Sequence, residues 1–165
     1  ATSNVVFAVL LHDLGKGLTA AEKLPAHIGH ERAGVPLVDA VCLRLRAPKA
    51  AQDLARKVCL DHLNCHRVFE MRPDTVLRML ERLDAFRQPD IVPQFILACE
   101  ADYRGRGGRR DEVYRQGEFL SDAHRVASAI LARDLGMQGL NGPEVGKRLR
   151  AARTEAISRI SKDTC

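Results

Sequence analysis

The residues of this chain best able to do chemistry are polar ones standing where the hydrophobic pattern calls for apolar side chains. His12 and Asp13 close a run, Val5–Leu11, that is otherwise wholly apolar. His62 and His66 continue the stripe of Leu54 and Val58 at helical spacing, and Asp102 continues that of Phe95 and Cys99. His27 and His30 stand one turn apart near the start of another helical segment. Burying a polar group costs on the order of 1–3 kcal/mol unless it is satisfied. A single such histidine is ordinarily a core residue bonded to a carbonyl. Imidazoles and carboxylates converging from several segments point instead to a metal. Mixed nitrogen and oxygen ligation suits a hydrolytic divalent ion such as Mn, Fe, Ni or Mg better than structural zinc, which favours cysteines.

Positioning these residues requires helices. Apolar residues recur at helical spacing almost throughout, and no segment alternates with period 2, so the chain reads as all-α with about seven helices. The first, over 5–14, is apolar on every side and is expected to be surrounded by other elements, with Gly15 and Gly17 ending it. The second covers 29–45, with a kink expected at Pro36. Pro48 opens the third, which carries His62 and His66. Pro73-Asp74 opens the fourth, with Val76, Leu77, Leu80 and Leu83 inward, and Pro89-Asp90 opens the fifth, which carries Asp102. Residues 104–117 read as a loop rich in Gly and Arg. Two helices follow, at 118–135 and 143–160, the last with Val145, Leu149, Ala152 and Ile160 inward.

A length of 165 residues is one domain's worth, enough to bury close to ~70% of the unfolded surface. The longest apolar run falls far short of the ~20 residues that span a bilayer, and it lacks the flanks of a signal peptide, so no membrane is expected and the cytoplasm is. Five cysteines without a C-x-x-C pair indicate neither a disulfide framework nor a zinc knuckle. The net charge is +5, and all of the excess lies after residue 102. That bias calls for an anionic partner, nucleic acid first. With only seven aromatic residues, five Phe and two Tyr, contact with the phosphate backbone is favoured over base stacking.

The run Leu10-Leu11-His12-Asp13-Leu14-Gly15-Lys16-Gly17 resembles the signature of the HD phosphohydrolase superfamily. The ordered series goes further: His27-x-Gly29-His30, Ala33-Gly34-Val35, Asp53-Leu54-Ala55-Arg56, then Glu100-Ala101-Asp102-x-Arg104-Gly105-Arg106. It resembles the C-terminal HD domain of the bacterial multifunctional CCA proteins, a family of tRNA nucleotidyltransferases with an attached phosphohydrolase. The resemblance implies an HD-domain helical bundle with His12, Asp13 and Asp102 as catalytic metal ligands and His30 and His62 as ligands of a further ion. His27 and His66 would support the ligands or touch the substrate. The ion would be Ni, Mn or Mg. The activities implied are 2′,3′-cyclic phosphodiesterase, 2′-nucleotidase and phosphatase, acting at the tRNA 3′ end.

Around that centre, Lys16 meets a phosphate oxygen or is a solvated turn lysine. Arg104 and Arg106 clamp phosphate or pair with Glu100 and Asp111. Arg109 and Arg110 touch the RNA backbone or lie in a solvated loop. Residues 1–110 form the expected metal-site core and 111–165 a basic pair of helices. The HD pattern takes its first histidine from a helix upstream of the doublet, and none precedes His12 here, so a fragment of a longer chain is expected. Two other readings stay open: a non-catalytic tRNA-docking HD module, and a free-standing HD nucleotidase.

Overall fold

The computed structural model describes residues 2–136 and 138–161. Among these there is no strand, and seven α-helices carry the fold: α1 (Ser3–Leu11), α2 (His30–Arg44), α3 (Lys49–His66), α4 (Pro73–Arg82), α5 (Ile91–Gly105), α6 (Arg115–Ser128) and α7 (Gly142–Ser158). Short 3-10 turns at Leu14–Leu18, Ala21–Lys23, Val68–Glu70 and Ala132–Leu135 join them. The fold is all-α, as the helical periodicity of the sequence predicts. Among the described residues, no helix is long and apolar enough to cross a membrane.

Helix α3 is the axis of the molecule. Its inward stripe of Leu54, Val58 and His62 is almost inaccessible, and α1, α2 and α5 all pack against it. Phe95, Ala98 and Cys99 of α5 fill the space on one side, and Val5, Ala8 and Leu11 of α1 fill it on another. Helices α6 and α7 pack on each other and on α4, so that Leu120, Ala123 and Ile157 join the same core as residues from the first half of the chain. Arg150 of α7 pairs with Glu81 of α4 across that contact.

Several boundaries differ from the sequence expectation for identifiable reasons. Helix α1 ends at Leu11, because the chain then tightens into a 3-10 turn in which the Lys16 N–H donates to the Asp13 carbonyl. Nor is α1 surrounded: it buries one face against α3 and α5 and leaves Val6 and Leu10 60% and 75% exposed. Helix α2 runs without interruption through Pro36, which lies on its exposed face. Helices α5 and α6 shorten the predicted basic loop from both sides, to 106–114, and α6 ends at Ser128 rather than 135. In α7, an Asn141–Glu144 capping box sets the start, and Ile157 is the deeply buried residue, whereas Val145, Leu149, Ala152 and Ile160 are only half-buried.

Two glycines decide how closely α2 approaches the turn after α1. A Cβ on Gly15 would lie 1.9 Å from the His30 carbonyl oxygen and 2.7 Å from the Gly34 nitrogen. A Cβ on Gly34 would lie 2.8 Å from Cys59 Sγ. Backbone therefore packs on backbone here, and only that approach brings Asp13 and His30 together. Gly15→Ala is expected to destabilise the fold by about 2–3 kcal/mol in urea denaturation. Gly17→Ala, with nothing within 4 Å of the added atom, should stay within about 0.5 kcal/mol of wild type. Equal stability of the two variants would contradict this packing.

Candidate metal centre

Three histidines are held by one local device. His12 caps the C-terminus of α1, His30 opens α2, and His62 lies in the C-terminal half of α3. Each ring donates its Nδ1–H to a carbonyl three or four residues earlier: His12 to Val9 at 2.6 Å, His30 to His27 at 2.7 Å, and His62 to Val58 at 3.0 Å. The helical chain thereby keeps a proton on each Nδ1, fixes the tilt of each ring, and leaves each Nε2 facing inward.

All three Nε2 atoms face the carboxylate of Asp13. Asp13 Oδ1 lies 3.1 Å from His30 Nε2 and 3.6 Å from His62 Nε2, and Asp13 Oδ2 lies 3.2 Å from His12 Nε2. Despite these distances, His12 Nε2, Asp13 Oδ1 and His30 Nε2 are buried and have no partner in hydrogen-bond geometry. Buried polar atoms are rarely left so. His12, Asp13 and His62 each offer a ligand atom within 4.8 Å of the others. Two imidazoles and a carboxylate form a donor set that fits a divalent transition metal.

Asp102 reaches the group from α5. Its Oδ1 lies 3.4 Å from His12 Nε2, and its Oδ2 accepts hydrogen bonds from His66 Nε2 at 2.7 Å and Arg106 at 2.9 Å. His66 in turn meets the Tyr114 hydroxyl at 2.9 Å, and that hydroxyl lies 3.3 Å from Cys65 Sγ. Tyr114 is a buried participant that the sequence reading assigned to the basic loop. Lys16 sits 2.5 Å from Asp13 Oδ2 with its ammonium partly open to solvent.

The remaining predicted residues lie further out. His27 contacts Thr19 at 2.9 Å and serves the centre through its carbonyl, which accepts from His30. Arg104 pairs with Glu100 at 2.8 Å, as one of its two readings had it. Arg106 pairs with Asp102 rather than Asp111, because α5 continues to Gly105 and brings Arg106 one turn above Asp102. Arg109 stacks over the Tyr103 ring at 4.7 Å, and Arg110 is exposed.

The charges of the centre follow from these contacts. Burial alone would lower the His12 pKa, but the Asp102 and Asp13 carboxylates and the Val9 carbonyl outweigh it and hold it at about 10. Burial and the charge on His12 press His62 the other way, to about 4. Burial would raise both carboxylates, yet His12 and Lys16 hold Asp13, and His12 and His66 hold Asp102, well below the usual range. Near neutral pH the centre thus carries a protonated His12, a neutral His62 and two ionised carboxylates. Burial and the nearby Asp13 charge push the Cys59 thiol up to about 11, so it is no thiolate donor. Cys42, Cys59, Cys65 and Cys99 are all free and buried.

The chain matches known proteins in sequence. The model of the HD domain family matches residues 2–102. The chain is 49% identical over 163 residues to the multifunctional CCA protein of Thioalkalivibrio sulfidiphilus, covering 99% of this chain and 40% of that relative. It is 48% identical over 159 residues to that of Alkalilimnicola ehrlichii, and 49% over 154 residues to that of Stenotrophomonas maltophilia, covering 38% of each. The chain therefore spans about two fifths of the length of these relatives. No solved structure matches it. Matched by the family model from the start of α1 to Asp102, the chain belongs to the HD domain family and is similar over nearly its whole length to multifunctional CCA proteins.

Proposed function

We propose that this domain is a divalent-metal phosphohydrolase of the tRNA 3′ end, acting as a 2′,3′-cyclic phosphodiesterase, 2′-nucleotidase and phosphatase within a CCA-adding tRNA nucleotidyltransferase. The observation that supports it best is the set of buried, unpartnered atoms His12 Nε2, Asp13 Oδ1 and His30 Nε2. A cation there satisfies all of them at once. His12, Asp13 and His62 would hold it, with His30 and Asp102 adjoining, and two imidazole donors favour Ni or Mn over Mg. Such an ion, when bound, supplies Lewis acidity that activates water and neutralises charge on a phosphoryl oxygen.

The chain's own residues do the rest. Asp13 and Asp102, both ionised and held far below neutral pKa, bind and orient rather than accept protons. His66, backed by the Tyr114 hydroxyl, fixes the rotamer of Asp102. Lys16 and Arg106 stand 41% and 46% exposed beside the two carboxylates, where they can meet phosphate oxygens from solvent. The basic region beyond residue 110, with Arg109 and Arg110 before it, offers the tRNA backbone a surface.

Hydrolysis of 2′,3′-cyclic AMP in the presence of Ni or Mn tests the reading. Asp13→Ala and Asp102→Ala should each lower the rate at least ~100-fold, and His66→Ala ~10–100-fold. Activity surviving both aspartate changes would overturn the placing of catalysis at this centre, and a wild-type chain that hydrolyses nothing with either metal would favour a tRNA-docking module without catalysis. The proton on His12 gives a second test. Metal must displace it, because its pKa of about 10 lies above neutrality, whereas His62, at about 4, has none to lose. Calorimetry at pH 7–8 in buffers of different ionisation enthalpy should show about one proton released per ion, with affinity rising as pH rises toward 10. Metal uptake with no proton release would contradict the charge state assigned to His12.

A further inference from the structure

On the side of α3 roughly opposite His62, where Lys57, Leu60 and Asn64 project, lies a groove the metal chemistry does not use. It measures about 580 Å³ and runs between α2, α3 and α4, with Arg32, Asn64, Thr75, Arg78 and Arg82 among its walls. A second hollow of about 230 Å³ continues it past Arg56 and Lys57, sharing Leu60, Asp61 and Arg82. Neither hollow is lined by an aromatic residue.

The floor is built. Asp61 is 2% exposed, accepts from Asn64 at 2.7 Å and takes both Nε and Nη2 of Arg82. That pair is neutral as a unit, but it fixes the Arg82 guanidinium at the junction of the two hollows with its Nη1 donors unused by Asp61. Net positive charge comes from the walls. Arg32 and Lys57 make no ion pair among the described residues, and Arg56 meets Asp39 only at 3.4 Å. Arg78 pairs with Asp74 at 3.1 Å and also donates to the Thr75 hydroxyl at 3.0 Å, which leaves that hydroxyl's own proton to donate. Of the acidic groups lining the hollows, Asp61 is consumed by Arg82 and Asp53 by Lys49 at 2.8 Å, which leaves Glu31. Residues 1–102 carry no net charge in the sequence, yet the two hollows are lined by Arg32, Arg56, Lys57, Arg78 and Arg82 against Glu31, Asp53 and Asp61, a local excess of positive charge.

We infer that the groove holds the phosphodiester backbone of an RNA strand. Guanidinium forks, an amide and a hydroxyl suit phosphate oxygens, the elongated and open shape suits a strand rather than an enclosed nucleotide, and the lack of aromatic walls leaves no platform for bases. The inference rests on the reading of tRNA as the partner. It adds a surface that composition does not reveal, since Arg32, Lys57, Arg78 and Arg82 all precede the basic third of the chain.

The test is the affinity of the 165-residue chain for fluorescently labelled tRNA, measured by anisotropy across salt concentrations. The triple variant R32A/K57A/R78A should bind at least tenfold more weakly at about 0.1 M salt, with the slope of log affinity against log salt reduced by about 2. Its melting temperature should stay that of wild type, because none of the three side chains belongs to the core. Wild-type affinity and slope in the triple variant would overturn the groove, as would loss of affinity only on neutralising Arg104, Arg106, Arg109 and Arg110. A wild-type chain that hydrolyses 2′,3′-cyclic AMP but binds no tRNA overturns the groove and spares the hydrolase. Weakened binding by the triple variant of a chain without hydrolase activity supports the groove and counts against the hydrolase.

Discussion

One carboxylate, that of Asp13, ties α1, α2 and α3 together. It stands one residue past His12, 3.1 Å from the imidazole that opens α2 and 3.6 Å from the one in the inward stripe of α3. Nothing larger than glycine fits at positions 15 and 34, because the turn that carries Asp13 must lie directly on the α2 backbone for those distances to exist. The arrangement of the first three helices and the arrangement of the site are therefore a single constraint.

That constraint has an energetic cost the fold carries without a cation. Atoms of His12, Asp13 and His30 are buried without partners in hydrogen-bond geometry, in a centre where burial lowers both His12 and His62 but the adjoining carboxylates carry His12 up to about 10 while the charge on His12 helps hold His62 at about 4. A divalent ion would partner those atoms and take the place of the proton on His12, so its binding free energy is in part folding free energy. Rigidity comes from elsewhere. The Nδ1–carbonyl bonds of the three histidines are internal to their own chain segments, and Asp102 is braced by His66 and Arg106.

Much of this was legible in the sequence because it is local. A histidine at i+8 on a leucine and valine stripe must face where that stripe faces, and the His12-Asp13 doublet at the end of an apolar run must lie near the core. What periodicity does not show is which segments meet. Tyr114 reaches His66 across 48 positions, and its buried hydroxyl bears no mark that separates it from a loop tyrosine. Arg106 was read against Asp111 because α5 was expected to have ended before it. The exposed Val6 and Leu10 show the complementary failure, since an apolar helix implies burial on every side only if something lies on every side. The groove between α2, α3 and α4 escaped composition altogether, because balanced charges along a segment do not show which side chains will share one face.

X-ray absorption at the metal edge of the Ni- or Mn-loaded chain reports which side chains of the His12, Asp13 and His62 cluster bind the ion, without relying on catalysis. A mixed nitrogen and oxygen shell with the outer scattering of imidazole rings is expected, with part of that scattering lost in His62→Ala. An oxygen-only shell without imidazole scattering, or a spectrum unchanged in His62→Ala, would contradict that ligand set.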